Sequence, residues 1–236
     1  PATKVVHASV HPLDHEGMAN IPVYHTSTVM KANLDDYRNG RGTYDYGREG
    51  TPTSVATETA VADLYRMDDC VATPSGLSAI CLGISSVLKA GDHALFPDSI
   101  YGSGRRFIDK VLPQMGVHVG IYDPCLNAGE LKLLFTENTR LLYLESPGSL
   151  TFEMQDIPAL TQLAHQHDCL VAIDNTWGTA LYFDATHHDM DIVIEAGTKY
   201  ISGHSDVSMG FVISNGDTAT SIRNYARNTG ICVAPD

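Results

Sequence analysis

Leu170-Val-Ala-Ile-Asp174-Asn-Thr176 is an apolar run that passes without a break into a carboxylate. It reads as a buried strand ending at Asp174. The same unit recurs on both sides. Upstream, residues 157–167 form an amphipathic helical pattern with Pro158 in the first turn, where proline is tolerated. Before that stands the apolar strand Thr139-Arg-Leu-Leu-Tyr-Leu-Glu145. Downstream, Asp191-Ile-Val-Ile-Glu195 is another strand. Further out, 70–73, 93–96 and 117–122 read as strands, and 53–65, 77–88, 107–115, 131–135 and 218–228 as helices. Asp68-Asp69 closes the helix of 53–65. Helices alternating with short apolar strands predict an α/β fold with a mostly parallel sheet. Residues 1–53, rich in Gly, Pro, Tyr and Asn, read as an extended arm. No repeat or low-complexity tract is visible.

The 236 residues suit one large domain, or one with part of another. The net charge of −13 argues against a nucleic-acid partner, which would require clustered Lys and Arg. No apolar stretch is long enough to span a bilayer. Pro1-Ala-Thr-Lys-Val-Val-His7 lacks the apolar core of a signal peptide. The five cysteines are widely spaced and form no CxxC pair, so a zinc ribbon is not expected. Cys81 and Cys169 read as core thiols, and a reducing, cytoplasmic setting fits.

Ligands of open α/β sheets bind beyond the C-terminal ends of the strands, and three polar signatures fall there. A carboxylate ending a buried strand, as Asp174 does, is costly unless paired; alone it also reads as a helix cap. Lys199, in Gly197-Thr-Lys-Tyr200, follows the strand at 192–194. A lysine that loses solvation there becomes nucleophilic toward a carbonyl; alone it also reads as a snorkelling surface lysine. In Thr73-Pro-Ser-Gly-Leu-Ser78, Ser75 is placed to cap a helix. Gly76 then leaves backbone N–H groups free, which makes an anion site or merely an ordinary cap. Together they meet one requirement. Pyridoxal 5′-phosphate (PLP) needs an amine for a Schiff base, a carboxylate for its ring nitrogen and a phosphate cup. Tyr101, just after a strand, offers an aromatic ring for stacking. His165/His167 and His187/His188 lack partners at metal spacing, so no metal site is expected. No GxSxG, GxGxxG or P-loop pattern is present.

These residues resemble the Cys/Met-metabolism, or transsulfuration, family of PLP enzymes. Four motifs stand in order: Tyr44-Asp-Tyr46-Gly-Arg48-Glu-Gly-Thr-Pro52-Thr53, Ser75-Gly-Leu-Ser-Ala-Ile80, Asp174-Asn-Thr176, and Thr198-Lys-Tyr200 with Gly203-His-Ser-Asp206. Within the family, Glu145-Ser-Pro-Gly-Ser-Leu-Thr151 and Asp174-Asn-Thr-Trp177 most resemble the bacterial cystathionine β-lyase branch. The resemblance implies the aminotransferase-like fold type I. It implies carbon–sulfur cleavage by β-elimination of an amino-acid substrate. Lys199 would carry the Schiff base and move protons, and Tyr101 would stack and assist. Gly76, Leu77 and Thr198 would hold the phosphate, and Asp174 with Thr176 the pyridine side. Tyr46 and Arg48 would reach a neighbouring subunit's cofactor, which implies a homotetramer.

Ala196 departs from the serine many members carry three residues before the lysine, and Ser103 from the cysteine of γ-lyase types. The expected division is an arm at 1–53 and a PLP-binding large domain at 54–236. The resemblance implies a small C-terminal domain, with the arginine for the substrate carboxylate, that is expected to lie outside this chain. A γ-synthase or γ-lyase chemistry, or a non-catalytic PLP-binding fragment, stays open at this point.

Overall fold

The computed structural model describes Ala8 and residues 11–235. The reading of Pro1–His7 lies outside the described residues. A seven-stranded sheet runs in the order β1-β7-β6-β5-β4-β2-β3. The strands are β1 (Asp69–Thr73), β2 (His93–Pro97), β3 (His118–Tyr122), β4 (Thr139–Glu145), β5 (Leu170–Asp174), β6 (Ile192–Glu195) and β7 (Gly210–Ser214). All are parallel except β7, which pairs antiparallel with both β1 and β6. The helices are α1 (Leu34–Arg38), α2 (Pro52–Tyr65), α3 (Gly76–Ser85), α4 (Gly102–Lys110), α5 (Ala128–Leu131), α6 (Ile157–His165), α7 (Thr179–Tyr182) and α8 (Gly216–Thr229). The expected α/β class with a mostly parallel sheet is what forms.

Alternation along the strands divides the core in two. Leu142, Leu144, Val171, Ile173 and Val193 face α2 and α6. Leu141, Tyr143, Ala172, Ile192 and Ile194 face α3, α4 and α8. Local chemistry sets the helix starts. Thr51 and Ser54 form a reciprocal capping box before Pro52 at the head of α2. The Ser75 hydroxyl accepts the Ser78 N–H at 3.1 Å and caps α3. Asp156 accepts Ala159 N–H at the start of α6.

Several expected boundaries move. Helix α2 ends at Arg66, in a left-handed conformation, and Asp69 already belongs to β1. Helix α3 ends at Ser85 rather than 88. The helix expected at 107–115 begins at Gly102, because tertiary packing overrides the Gly-Ser-Gly start. Past Val111 it tightens into a 3₁₀ turn that holds Pro113. The helix of 131–135 is instead α5 followed by a 3₁₀ turn. Strand β7 was not expected. Its Phe-Val-Ile is fully buried, and its place between β1 and β6 is a long-range pairing with no local signature. Cys169 is buried as expected, but Cys81 is only half-buried, and Cys70 takes the second core position. Among its described residues the arm is mostly exposed, with one isolated β-bridge between Thr28 and Tyr46.

Candidate active site

The sheet order contains a reversal that positions the site. From β2 the chain steps outward to β3. It then returns to lay β4 on the other side of β2 and proceeds through β5 and β6. The crossover helix α4 lies on one face and α6 on the other. Such a switch point opens a crevice beyond the C-terminal strand ends. Here it lies between β2 and β4. A hydrogen bond spans it: the Tyr101 N–H, after β2, donates to Glu145 Oε2 at the end of β4 at 2.8 Å.

Glu145 pairs in register with Asp174, so two carboxylates end neighbouring strands on the α3 face. A third, Glu195, ends β6 and points to the opposite face. Asp174 is steadied by the Thr176 N–H, which donates to Oδ1 at 3.0 Å. The Thr176 hydroxyl in turn accepts the Ala196 N–H at 2.8 Å. None of the three carboxyls has a Lys, Arg or His in ion-pair contact among the described residues. Burial, then the Asp174 charge beside it, pushes the Glu145 carboxyl up to about 8. Burial and the same neighbour take Glu195 to about 7 against the Tyr65 hydrogen bond. Burial also raises Asp174, against the Thr176 hydrogen bonds.

This has a consequence for stability. A carboxyl whose folded pKa lies above its unfolded value costs nothing while both states are protonated. It destabilises progressively as pH rises from the unfolded pKa to the folded one. The cofactor-free protein is therefore expected to lose stability between about pH 5 and pH 8. Each raised carboxyl contributes up to about 1.4 kcal/mol per pH unit. Glu145→Gln should flatten that slope. Urea unfolding at several pH values checks it; equal slopes in the two proteins would refute the account.

The anion cup forms where α3 begins. Intrahelical bonding leaves the first N–H groups of a helix free, and Ser75 takes only that of Ser78, so Gly76 and Leu77 present theirs to the site. Gly76 is required sterically: a Cβ there would come within 2.6 Å of the Ala196 Cβ. Ala196, the departure seen in the sequence, is thus the floor against which α3 is packed.

Two expectations need correction. Lys199 stands in the turn after β6, its N–H bonded to the Ala196 carbonyl at 3.0 Å, but its side chain is exposed. Following a buried strand does not by itself strip solvent from a side chain in the turn beyond it. Thr198 is turned inward: its hydroxyl donates to the Met209 carbonyl and accepts the Met209 N–H, each at 3.0 Å. Its proton is therefore committed to the backbone rather than offered to an anion. Tyr101 is half-exposed at the crevice, as a stacking ring requires.

Tyr46 and Arg48 lie apart from this group. Arg48 Nη1 donates to the Arg227 carbonyl at the end of α8 at 3.0 Å, and its guanidinium sits 5.7 Å from the Tyr46 ring centroid. Glu145 and Glu195 were missed as site residues. The signal was available, since both close apolar strands as Asp174 does. His165 bonds Asp191 at 2.9 Å, and no metal-binding cluster exists among the described residues.

The group fits PLP on this structure's own terms. A carboxyl pair without a cation partner, Glu145 buried and Asp174 half-buried, suits a protonated ring nitrogen. The Tyr143 hydroxyl is buried without a hydrogen-bond partner on the same face. The free helix N-terminus suits a phosphate.

Fold and crevice together define an α/β protein of the aminotransferase-like type, built to bind at the C-terminal edge of its sheet. The chain belongs to the Cys/Met metabolism PLP-dependent enzyme family, whose sequence model matches residues 2–236. The family's cofactor is PLP. A putative cystathionine beta-lyase of Rhizobium johnstonii is 43% identical over 99% of this chain and 59% of its own length. A putative cystathionine beta-lyase of Saccharomyces cerevisiae is 41% identical over 87% of this chain and 60% of its own. The crystal structure of cystathionine gamma-lyase from Lactobacillus plantarum complexed with L-serine superposes with a TM-score of 0.92. It is 30% identical and covers 99% of this chain and 60% of that one. The chain thus spans about three-fifths of the length of these relatives. No helix among the described residues is long and apolar enough to cross a membrane.

Proposed function

We propose that this protein is a PLP-dependent carbon–sulfur lyase. It cleaves cystathionine, or a related S-substituted cysteine, by β-elimination to homocysteine, pyruvate and ammonia. The observation that carries this reading is the uncompensated carboxyl pair Asp174–Glu145 at the switch point, beside the free N-terminus of α3. The names of the relatives support the choice of substrate.

When bound, PLP supplies an electron sink for the carbanion formed at the substrate's α-carbon. Asp174 keeps the ring nitrogen protonated, with Thr176 aiming its carboxylate. The Gly76 and Leu77 N–H groups hold the phosphate. Lys199 anchors the cofactor through Nζ. Its amine would also take the α-proton and deliver a proton to the departing sulfur. Tyr101 stacks on the ring, held at its backbone by Glu145. In this reading residues 54–236 form the cofactor-binding domain and 1–53 its arm. Tyr46 and Arg48 serve the cofactor of a neighbouring subunit in a homotetramer; this is supported by their bonding to Thr28 and to the end of α8 rather than to the other candidates. The buried, unpaired Cys70 and Cys169 support a reducing, cytoplasmic setting.

Turnover of cystathionine with PLP tests the reading. Pyruvate is the expected product. The cystathionine gamma-lyase likeness favours one second reading, γ-elimination, which would release 2-oxobutyrate instead. If neither keto acid forms, both readings are overturned.

A further inference from the structure

Beneath the sheet, on the face away from Gly76, the residue that closes β6 does something none of the four motifs explains. Glu195 is 1% exposed and carries no ion pair among the described residues. Its Oε2 accepts the Tyr65 hydroxyl proton from the end of α2. The Tyr65 oxygen accepts Asn175 Nδ2–H at 3.1 Å. Asn175, which follows Asp174, also donates its backbone N–H to the Ile194 carbonyl at 2.8 Å. Ile194 is the residue before Glu195. The side-chain path and the backbone path thus close on each other.

We propose that Glu195 is a positioning residue for the cofactor site: the ring it closes with Tyr65 and Asn175 fixes the arm bearing Asp174 against the arm bearing Lys199. The two arms leave the ring in opposite directions. One runs from Asn175 back to Asp174 and on to Thr176. The other runs from Glu195 through Ala196, whose N–H is held by the Thr176 hydroxyl at 2.8 Å, to the turn of Lys199. The ring sets the spacing of β5 and β6 at the point where the two functional side chains diverge. Asn175 is held further by its second amide proton on the Thr179 carbonyl at 3.0 Å. Gly178 is packed so tightly on Asn175 that a Cβ would fall 2.5 Å from Oδ1.

Glu195 also acts through charge. The titratable groups facing it are Tyr65 from α2, Asp174 from β5 and Cys70 from β1. Its carboxyl titrates at about 7, so it changes charge near neutrality beside Asp174.

The inference rests on the PLP reading above, and its test separates the two. The protein and its Glu195→Gln, Glu195→Ala and Tyr65→Phe variants are titrated with PLP at pH 6 and pH 8, followed by the visible absorption of bound cofactor. Their cofactor-free forms are unfolded in urea alongside. Glutamine accepts the Tyr65 proton but carries no charge. Glu195→Gln should therefore match the parent at pH 6, where protonated Glu195 is its near isostere. It should depart by about 3-fold at pH 8, the effect of a half-unit of coupling. Tyr65→Phe and Glu195→Ala should weaken PLP by about 10-fold at both pH values, the scale of a lost buried hydrogen bond. If Glu195→Gln tracks the parent at both pH values, or folded Tyr65→Phe binds as the parent does, the inference is overturned. A parent protein that develops no visible band overturns the PLP reading and the inference with it.

Discussion

Lys199→Ala is expected to abolish the visible absorption that PLP acquires on the parent protein and to reduce lyase turnover by roughly 10³-fold or more. Two roles fall on one Nζ. In the proposed reading it anchors the cofactor covalently, and it moves protons to and from the substrate, a contribution of about 10²–10⁴-fold on its own. No neighbour can substitute: Tyr200 and His204 share its turn but carry no amine. Because the side chain is exposed and leaves no cavity, the variant should keep its stability. Loss of the band with an unchanged unfolding curve is therefore the expected pair of results. A variant that retains the band would remove Lys199 from the site.

Asp174→Ala is expected to weaken PLP by about 10–100-fold, the worth of a charge-assisted hydrogen bond of about 1.5–3 kcal/mol. Turnover should fall further, because the ring nitrogen loses the group that keeps it protonated. Stability should move the other way. Asp174 is raised by burial and its charge raises Glu145, so its removal relieves the cofactor-free protein at neutral pH. Weaker cofactor binding in a more stable apoprotein is a combination that a general packing defect would not produce. Spectroscopic titration and urea unfolding of the same variant measure both. Unchanged PLP affinity would move the ring-nitrogen role elsewhere, with Glu145 the nearest carboxyl.

Much of the candidate site is legible in the sequence because its residues sit at the ends of strands and the starts of helices. Asp174, Lys199, Gly76 and Tyr101 each follow or close an element that hydrophobic patterning finds. Thr198 was expected to offer its hydroxyl to an anion because a hydroxyl near a lysine looks available until its partner is known. The Met209 backbone that occupies it comes from a loop eleven residues away. Strand β7 escaped for a related reason. A buried, antiparallel strand inserted between parallel neighbours depends on pairing partners distant in sequence.

By itself the sequence determined the α/β class, the alternation of elements and a shortlist of residues able to hold PLP. Those properties are local: period, run length, capping and residue chemistry. The tertiary structure alone decided which carboxylates stand together, and where Lys199 meets solvent. It also decided that Glu145, with Asp174 beside it on the next strand, borders a crevice made by a reversal in strand order. The physical reason is that charge coupling, burial and the switch point depend on distances through space, which residues close in the fold acquire only after their strands have paired.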